Sequence, residues 1–489
     1  MEKLNRKNIG LENKLPIKIV QFGEGNFLRA FIDYAFQELN DTVDFNAGIA
    51  VVQPIENGMV NMLNDQDGLY TLFMKGLTKG KEVQEKKLIT NLVSGINPYT
   101  NFNDYLALAK EEALAFIISN TTESGIAYVS SDTPTMQPPS SYPAKLTVLL
   151  YERFKHFNGD ASKGLAVIPC ELINNNADTL KEIILKYCVD WKLEDGFKTW
   201  IEESNTFHNT LVDRIVPGYP RAEIDEYNKQ LNYTDNLIVT AETFFLWVIE
   251  GGDILKNKLP FHKTDLDVKI VEDMQPYRTR KVRILNGAHT AMVPFSLMYG
   301  NETVKETIDN AFTGTFINKV IFEEINETID MDKKELDIFA DDVLDRFRNP
   351  FIKHNLSSIA LNSISKFKVR VLPSVLGYIS KYDKVPAHLT FAFACLIRFY
   401  KGSWKGQILP VEDSSDIITF FQEIWKSSEN NDKVVQQTLE NAEFWGEDLT
   451  KINGLSEALV LALSEIETNG IEQGFVNFNR QYENKSITI

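Results

Sequence analysis

The amino-acid sequence predicts an α/β chain: a doubly wound, Rossmann-type sheet over residues 1–272, followed by a mostly α-helical part over 273–489. Three observations predict it. Ile17–Phe22 reads as a short buried strand running through Gly23-Glu24-Gly25 into a helical pattern, with apolar residues at 27, 28, 31, 32, 35, 36 and 39. Buried-strand segments then alternate with helical ones for roughly 200 residues, the pattern of a parallel sheet covered on both faces. Beyond about residue 273 strands almost vanish, and helical stretches such as TGTFINKVIFEEINETI, ELDIFADDVLDRF and LTFAFACLIRFYKG take over.

In the opening unit the glycines permit a tight turn and a close approach of backbone to a pyrophosphate at a helix amino terminus. An ordinary strand–helix turn explains the motif equally well, because Leu28 stands where the usual pattern has its third glycine. A second strand, Gly48–Val52, ends in Gln53-Pro54, so the acid expected to read the adenosine ribose is missing from its tip and Glu56 is the nearest. No Arg or Lys lies nearby to meet a 2′-phosphate, which favours NAD over NADP. Residues 115–120 form a further strand, ending in Thr121-Thr122-Glu123-Ser124-Gly125. Loops at the carboxyl ends of parallel strands bind ligands in such sheets, and a plain turn rich in Thr and Ser is the competing reading. A proline-rich loop, the helix KLTVLLYERF, a strand at 165–169 and a helix from about Thr179 follow. NTLVDRIVP at 209–217 closes the region, and LIVT with FFLWVIE leads out of it.

A length of 489 residues allows two to three domains. The composition, 43% hydrophobic and 24% charged, is that of a folded chain with ample core. No stretch reaches the roughly 18 apolar residues of a membrane span, and MEKLNRKNIGLENK lacks the apolar segment of a signal peptide. Cys170, Cys188 and Cys395 match neither a disulfide framework nor a zinc spacing, which fits a reducing, cytoplasmic setting. The net charge of −17 argues against nucleic-acid and membrane-surface partners. An anionic small molecule handled by such a chain requires local positive charge.

The stretch RTRKVRILNGAHTAM, 278–292, places Lys281, Asn286 and His289 within nine residues. On an α-helix they fall at about 0°, 140° and 80°, on one side. An amine, an amide and an imidazole together suit proton transfer. The alternative is a solvated basic face of Arg278, Arg280, Lys281 and Arg283, a turn at Asn286-Gly287 and an interior histidine. A second cationic segment, KHNLSSIALNSISKFKVR, carries His354, Lys366, Lys368 and Arg370. Its last three cations alternate with Phe367, Val369 and Val371, so a solvated face competes with substrate contact.

Four ordered stretches, QFGEGNFLRAF at 21–31, QDGLYTL at 66–72, NTLVDRIVP at 209–217 and KVRILNGAH at 281–289, resemble the long-chain mannitol dehydrogenase family of polyol and uronate oxidoreductases. The last contains Lys-x4-Asn-x2-His, the catalytic pattern of that family. The resemblance implies a metal-independent, NAD-dependent enzyme. Lys281 is its general acid or base, Asn209 and Asn286 donate to the substrate oxygen, and His289 positions the substrate. It also implies cofactor contacts at Phe22, Gly23, Gly25, Asn26 and Phe27 and along Thr121, Thr122 and Glu123. VVQPIENGM, SNTTESGI, CELINNNAD and RFRNPFIKHNLSSIALNSISKFKVRVLP look most like the members that reduce tagaturonate to altronate. Fructuronate reduction, polyol oxidation and a non-catalytic nucleotide sensor are the alternatives. Polyol-oxidising members carry a glutamate three residues before the lysine, where Arg278 stands here. That exchange points to a substrate carboxylate, with an ion pair to an acid such as Asp273 as the competing role. His354 and Lys366 are further substrate-binding candidates. Burial, or any of Arg278, Arg280 and Arg283 pointing inward, lowers the pKa of a lysine from near 10.4 towards neutrality.

Overall fold

Strand β1 (Ile17–Phe22) is the centre of a six-stranded parallel sheet. The chain continues through β2 (Gly48–Val52), β3 (Tyr70–Thr78), β4 (Lys81–Ile89), β5 (Leu92–Ile96), β6 (Phe116–Ser119), β7 (Ala166–Pro169) and β8 (Thr206–Phe207). Four further strands are β9 (Thr210–Asp213), β10 (Val239–Ala241), β11 (Leu246–Glu250) and β12 (Val268–Val271). The structure, a computed structural model, describes residues 2–11, 15–122, 124–428 and 430–486, with side chains to 482. It divides into Met1–Lys75 with Glu82–Met274, and Gly76–Lys81 with Gln275–Ile489.

The large sheet runs β5-β2-β1-β6-β7-β8, every pair parallel. In order of appearance this is 3-2-1-4-5-6, the doubly wound order, with its reversal between β1 and β6. The pleat explains the two cores. Ile19, Ile49 and Val51 face a cluster with Phe31, Phe36 and Trp247, while Val20, Phe22, Ala50 and Val52 face Tyr105, Leu146 and Leu180. Helix Asn26–Val43 covers the first face, and helices Tyr142–His156 and Asn176–Asp190 cover the second. Both faces are dry, which is why these strands read as unbroken apolar runs.

Two three-stranded sheets complete the unit, β10-β3-β4 and β12-β11-β9. The β3–β4 hairpin was not foreseen, because β4 (KEVQEKKLI) is exposed over most of its length. Its turn, Lys79-Gly80, has φ of 53° and 71°, the two positive values a tight hairpin demands. The hairpin tip, Gly76–Lys81, belongs to the second unit, where Gly80 N donates to Asp345 Oδ2 at 3.0 Å.

From Gln275 onward the only strands among the described residues are the pair Ser403–Trp404 and Gln407–Ile408. The central helix, Ala387–Phe399, buries every residue from His388 to Phe399. A buried carboxylate, Glu324, sits on a π-turn (Val320–Ile325) and accepts from the backbone N–H groups of His388 and Leu389 at 2.8 and 2.7 Å. It thereby satisfies the free donors at the start of that helix. Among the described residues no helix is long and apolar enough to cross a membrane, and all three cysteines are buried and free.

Candidate active site

The strand-order reversal brings the ends of β1 and β6 together, and both predicted cofactor loops lie there. Gly23 has φ of 124°, and a Cβ on it would stand 2.9 Å from Leu28 Cδ1 and 3.0 Å from Asn120 O. No other residue fits. Leu28, which replaces the third glycine, is buried and packs against this turn. Gly25 caps helix Asn26–Val43 and meets nothing within 4 Å. No side chain caps this helix start, so its first N–H groups are left for a ligand or water. Asn26 is held by the protein itself: its Oδ1 accepts from Arg29 Nη2 at 2.7 Å. Its amide lies against Gly218, where φ is 93° and a Cβ would be 2.4 Å from Asn26 Nδ2.

The two phenylalanines predicted to meet the cofactor both pack on other rings of the protein. The Phe22 ring is fully buried against Tyr105 and Tyr142, so a ligand meets this position only through backbone. Phe27 is half-buried and stacks on Phe31 at 5.0 Å. At the tip of β2, Gln53 is buried and donates to the carbonyls of Ile55 and Glu56, both at 2.9 Å. It ties the loop down where an acid would otherwise reach outward. Glu24 bends into the same loop, accepting from Met59 N at 3.4 Å, and burial pushes its carboxyl pKa up.

After β6, Thr121 donates N–H and hydroxyl to Glu171 Oε1 at 3.0 and 3.1 Å, and Ser119 Oγ donates to Glu171 Oε2 at 3.0 Å. Burial raises the pKa of Glu171, and those donors oppose the rise. Thr122 is exposed, its hydroxyl 3.2 Å from Ser124 Oγ. Glu123 lies outside the described residues. Asn209 is buried and its amide is fully engaged. Both protons go to carboxylates, Asp178 Oδ2 and Glu250 Oε2 at 2.9 Å, while its oxygen accepts from Ala177 N and Asp178 N.

In the second unit the stretch 275–299 is one continuous helical run, but it is not α-helical throughout. Lys281–Asn286 is a π-turn between helices Gln275–Arg280 and Gly287–Tyr299. This corrects the angles expected of a regular α-helix. A π-turn closes over five residues and turns roughly 80° per residue, so Asn286 lies about 50° from Lys281 rather than about 140°. With α-geometry resumed, His289 returns to within about 10° of Lys281. The inserted residue gathers all three side chains onto one stripe.

The solvated basic face does not form. Arg280 is buried, pairs with Glu335 Oε1 at 2.9 Å and lies over the Phe339 ring at 4.3 Å. Arg283 is half-buried and donates to Ser374 Oγ at 2.9 Å, and Arg278 is also half-buried. His289 stacks on Phe347 at 4.3 Å and meets His354 edge-on at 5.0 Å, while its Nε2 is buried with no hydrogen-bond partner. Burial, then His354, Arg346 and Arg370, hold its pKa well below 6.5. The ring is therefore neutral at physiological pH. Burial likewise lowers His354.

The alternation in SKFKVRV does not mark a strand. Ser363–Arg370 is a helix, so Lys366 and Arg370, four apart, share a face, and Phe367 is buried against Phe393 and Trp445. Lys366 Nζ donates to Ile359 O at 2.9 Å, and Lys368 Nζ to Glu443 O at 3.4 Å. Burial lowers the Lys366 pKa, Arg370 lowers it further and Asp413 opposes both. Sequence reasoning missed Arg346 and Phe347, and it left Arg370 as one of three alternating cations. The four-residue spacing of Lys366 and Arg370 was the available signal.

Residues 17–263 match the description "Mannitol dehydrogenase Rossmann domain" and residues 273–467 match "Mannitol dehydrogenase C-terminal domain". The chain belongs to the mannitol dehydrogenase family. Its relatives include altronate oxidoreductases from Pectobacterium carotovorum, 45% identical over 96% of this chain and 98% of the relative, and from Bacillus subtilis, 45% identical over 98% of each. One from Escherichia coli is 44% identical over 97% of this chain and 99% of the relative. Among solved structures of the family's fold, a substrate-free D-sorbitol dehydrogenase superposes with a TM-score of 0.79 at 19% identity, covering 97% of this chain and 100% of its own. Pseudomonas fluorescens mannitol 2-dehydrogenase, solved with NAD and D-mannitol, superposes at 0.64 and 19% identity over 98% and 99%. At that identity the two establish the mannitol dehydrogenase fold and no more.

Proposed function

We propose that this chain is a cytoplasmic, NAD-dependent oxidoreductase that reversibly reduces D-tagaturonate to D-altronate. The observation that carries the reading is the π-turn that gathers Lys281, Asn286 and His289 on one stripe among cations. Full-length similarity to altronate oxidoreductases supplies the sugar acid. The residues at the β1–β6 reversal fit a dinucleotide. Gly23 lets the turn close against Leu28 and Asn120, Gly25 leaves room for a pyrophosphate, Asn26 and Phe27 frame the helix start, and Thr121 and Thr122 line the facing loop. Bound there, NADH supplies the hydride that the keto carbon of tagaturonate accepts.

Lys281 gives its proton to the keto oxygen during reduction and takes it back during oxidation. Asn286, about 50° away on the π-turn, donates a hydrogen bond to the same oxygen as negative charge builds on it. His289 stays neutral, so it positions the sugar by hydrogen bonding and does not compete for the proton. Asn209 differs, since both of its amide protons are already donated. Its donation to substrate requires exchange with Asp178 or Glu250. Arg278 and Lys366 supply positive charge to the sugar-acid side, and His354, whose pKa burial lowers, offers it a hydrogen bond.

A panel of tagaturonate, fructuronate and fructose with NADH and NADPH tests the proposal. The expected result is highest kcat/KM for tagaturonate with NADH. A preference for fructose would overturn the substrate assignment, and NADH binding with no turnover on any member would make the chain a sensor.

A further inference from the structure

We propose that Arg370 holds the carboxylate of the sugar acid and sets the preference for uronate over neutral ketose, an inference that rests on the substrate class proposed above.

Arg370 ends helix Ser363–Arg370, which packs against both the π-turn and helix Gly287–Tyr299. The two backbones touch at Gly287, where a Cβ would stand 3.0 Å from Arg370 O. Gly287 follows Asn286 and lies two residues before His289. Residue 370 is therefore anchored beside two of the three groups assigned to the chemistry, and it acts electrostatically on His289 and Lys366.

Arg370 also lacks a counter-charge among the described residues. Three other arginines of this unit that leave water find acceptors: Arg280 has Glu335 at 2.9 Å, Arg398 has Glu467 at 2.5 Å and Arg283 has Ser374 Oγ at 2.9 Å. Arg370 is half-buried, and among the described residues no hydrogen bond or ion pair meets its guanidinium. Burial alone accounts for the lowering of its pKa, with no carboxylate opposing it. His354 and Arg346 act with it on His289, and among the described residues no acid opposes them there.

A half-buried guanidinium among like charges is destabilising unless an anion joins it. In a chain of net charge −17, leaving it without an acid is a local choice. The planar fork matches a carboxylate in two parallel hydrogen bonds, and partial dehydration strengthens them. Lys366 and Lys368 are less available, because their ammonium groups already donate to Ile359 O and Glu443 O.

The test compares tagaturonate with D-tagatose, in which a hydroxymethyl group replaces the carboxylate, on wild type, Arg370→Met and Arg370→Lys. Arg370→Met is expected to lower kcat/KM for tagaturonate by at least ~100-fold, chiefly through KM, while the value for tagatose stays within about 3-fold. Arg370→Lys is expected to recover part of the loss, since it restores charge without the fork. NADH affinity and the unfolding temperature of Arg370→Met should not fall. Equal loss on both sugars, retained preference for tagaturonate, or a fall in unfolding temperature would each overturn the proposal. A wild type that prefers tagatose would instead refute the substrate class on which the proposal rests.

Discussion

Arg214 in the first unit and Arg370 in the second are both guanidiniums withdrawn from water, and the chain treats them in opposite ways. Arg214 donates Nε and Nη2 to Glu242 O at 3.0 and 2.9 Å and Nη1 to Ala30 O at 2.6 Å. Arg153 does the same with the carbonyls of Lys163, Ala109, Glu111 and Leu114. Burial pulls both down to about 10, so both remain charged at neutral pH. These arginines staple loops to helices by donating to backbone carbonyls. Arg370 staples nothing among the described residues. The contrast separates cations that build the fold from cations held in reserve for a ligand.

Removing the cation assigned to proton transfer breaks that contrast most severely. Lys281→Ala is expected to lower kcat by ~10³-fold or more, with NADH affinity in a fluorescence titration unchanged. A loss below tenfold would remove Lys281 from the chemistry. The next largest effect lies in the scaffold. Arg214→Met removes all three donations to Ala30 O and Glu242 O and should destabilise by about 3–5 kcal/mol in denaturant unfolding. If Arg214→Met and Arg370→Met lowered stability equally, the distinction between building and reserve cations would collapse.

Two titrations sharpen the comparison at smaller scale. Asp33 in the first unit is fully buried, accepts from Tyr70 Oη at 2.8 Å, and burial pushes its pKa up to about 7. Between about 4 and about 7 the native state holds a proton that the unfolded state releases, so stability falls as pH rises through that window. Asp33→Asn should abolish that slope, with a gain at pH 8 on the order of a few kcal/mol. His289 carries the opposite sign. Its pKa is depressed in the folded state, so the unfolded state takes up the proton first, and stability present above ~6.5 is lost below it by up to about 1.4 kcal/mol per pH unit. His289→Gln should flatten that limb, and an unchanged acid limb would show that the ring is protonated in the native state.

What was legible in the sequence follows the same divide. The sheet core and the Gly23–Asn26 turn were readable because strands buried on both faces leave apolar runs and because only glycine tolerates φ of 124° beside Leu28 and Asn120. β4 was not, since an exposed hairpin arm needs no apolar alternation. Lys281, Asn286 and His289 were recognisable as a pattern, yet the π-turn that aligns them was invisible. One extra residue per turn leaves no local signature and depends on packing around it. Arg280 read as surface because its partner, Glu335, lies 55 residues away. Arg370 was masked by a period-two alternation that the fold overrules with a helix.

The second unit leaves Arg370 without an acid so that a sugar carboxylate can complete it. The direct measurement is the affinity of the wild-type protein for altronate and for altritol, its neutral counterpart, by calorimetry in the presence of NADH. Altronate is expected to bind tighter by at least ~100-fold at low salt, with the advantage shrinking as salt rises. Equal affinities, or an advantage indifferent to salt, would contradict it.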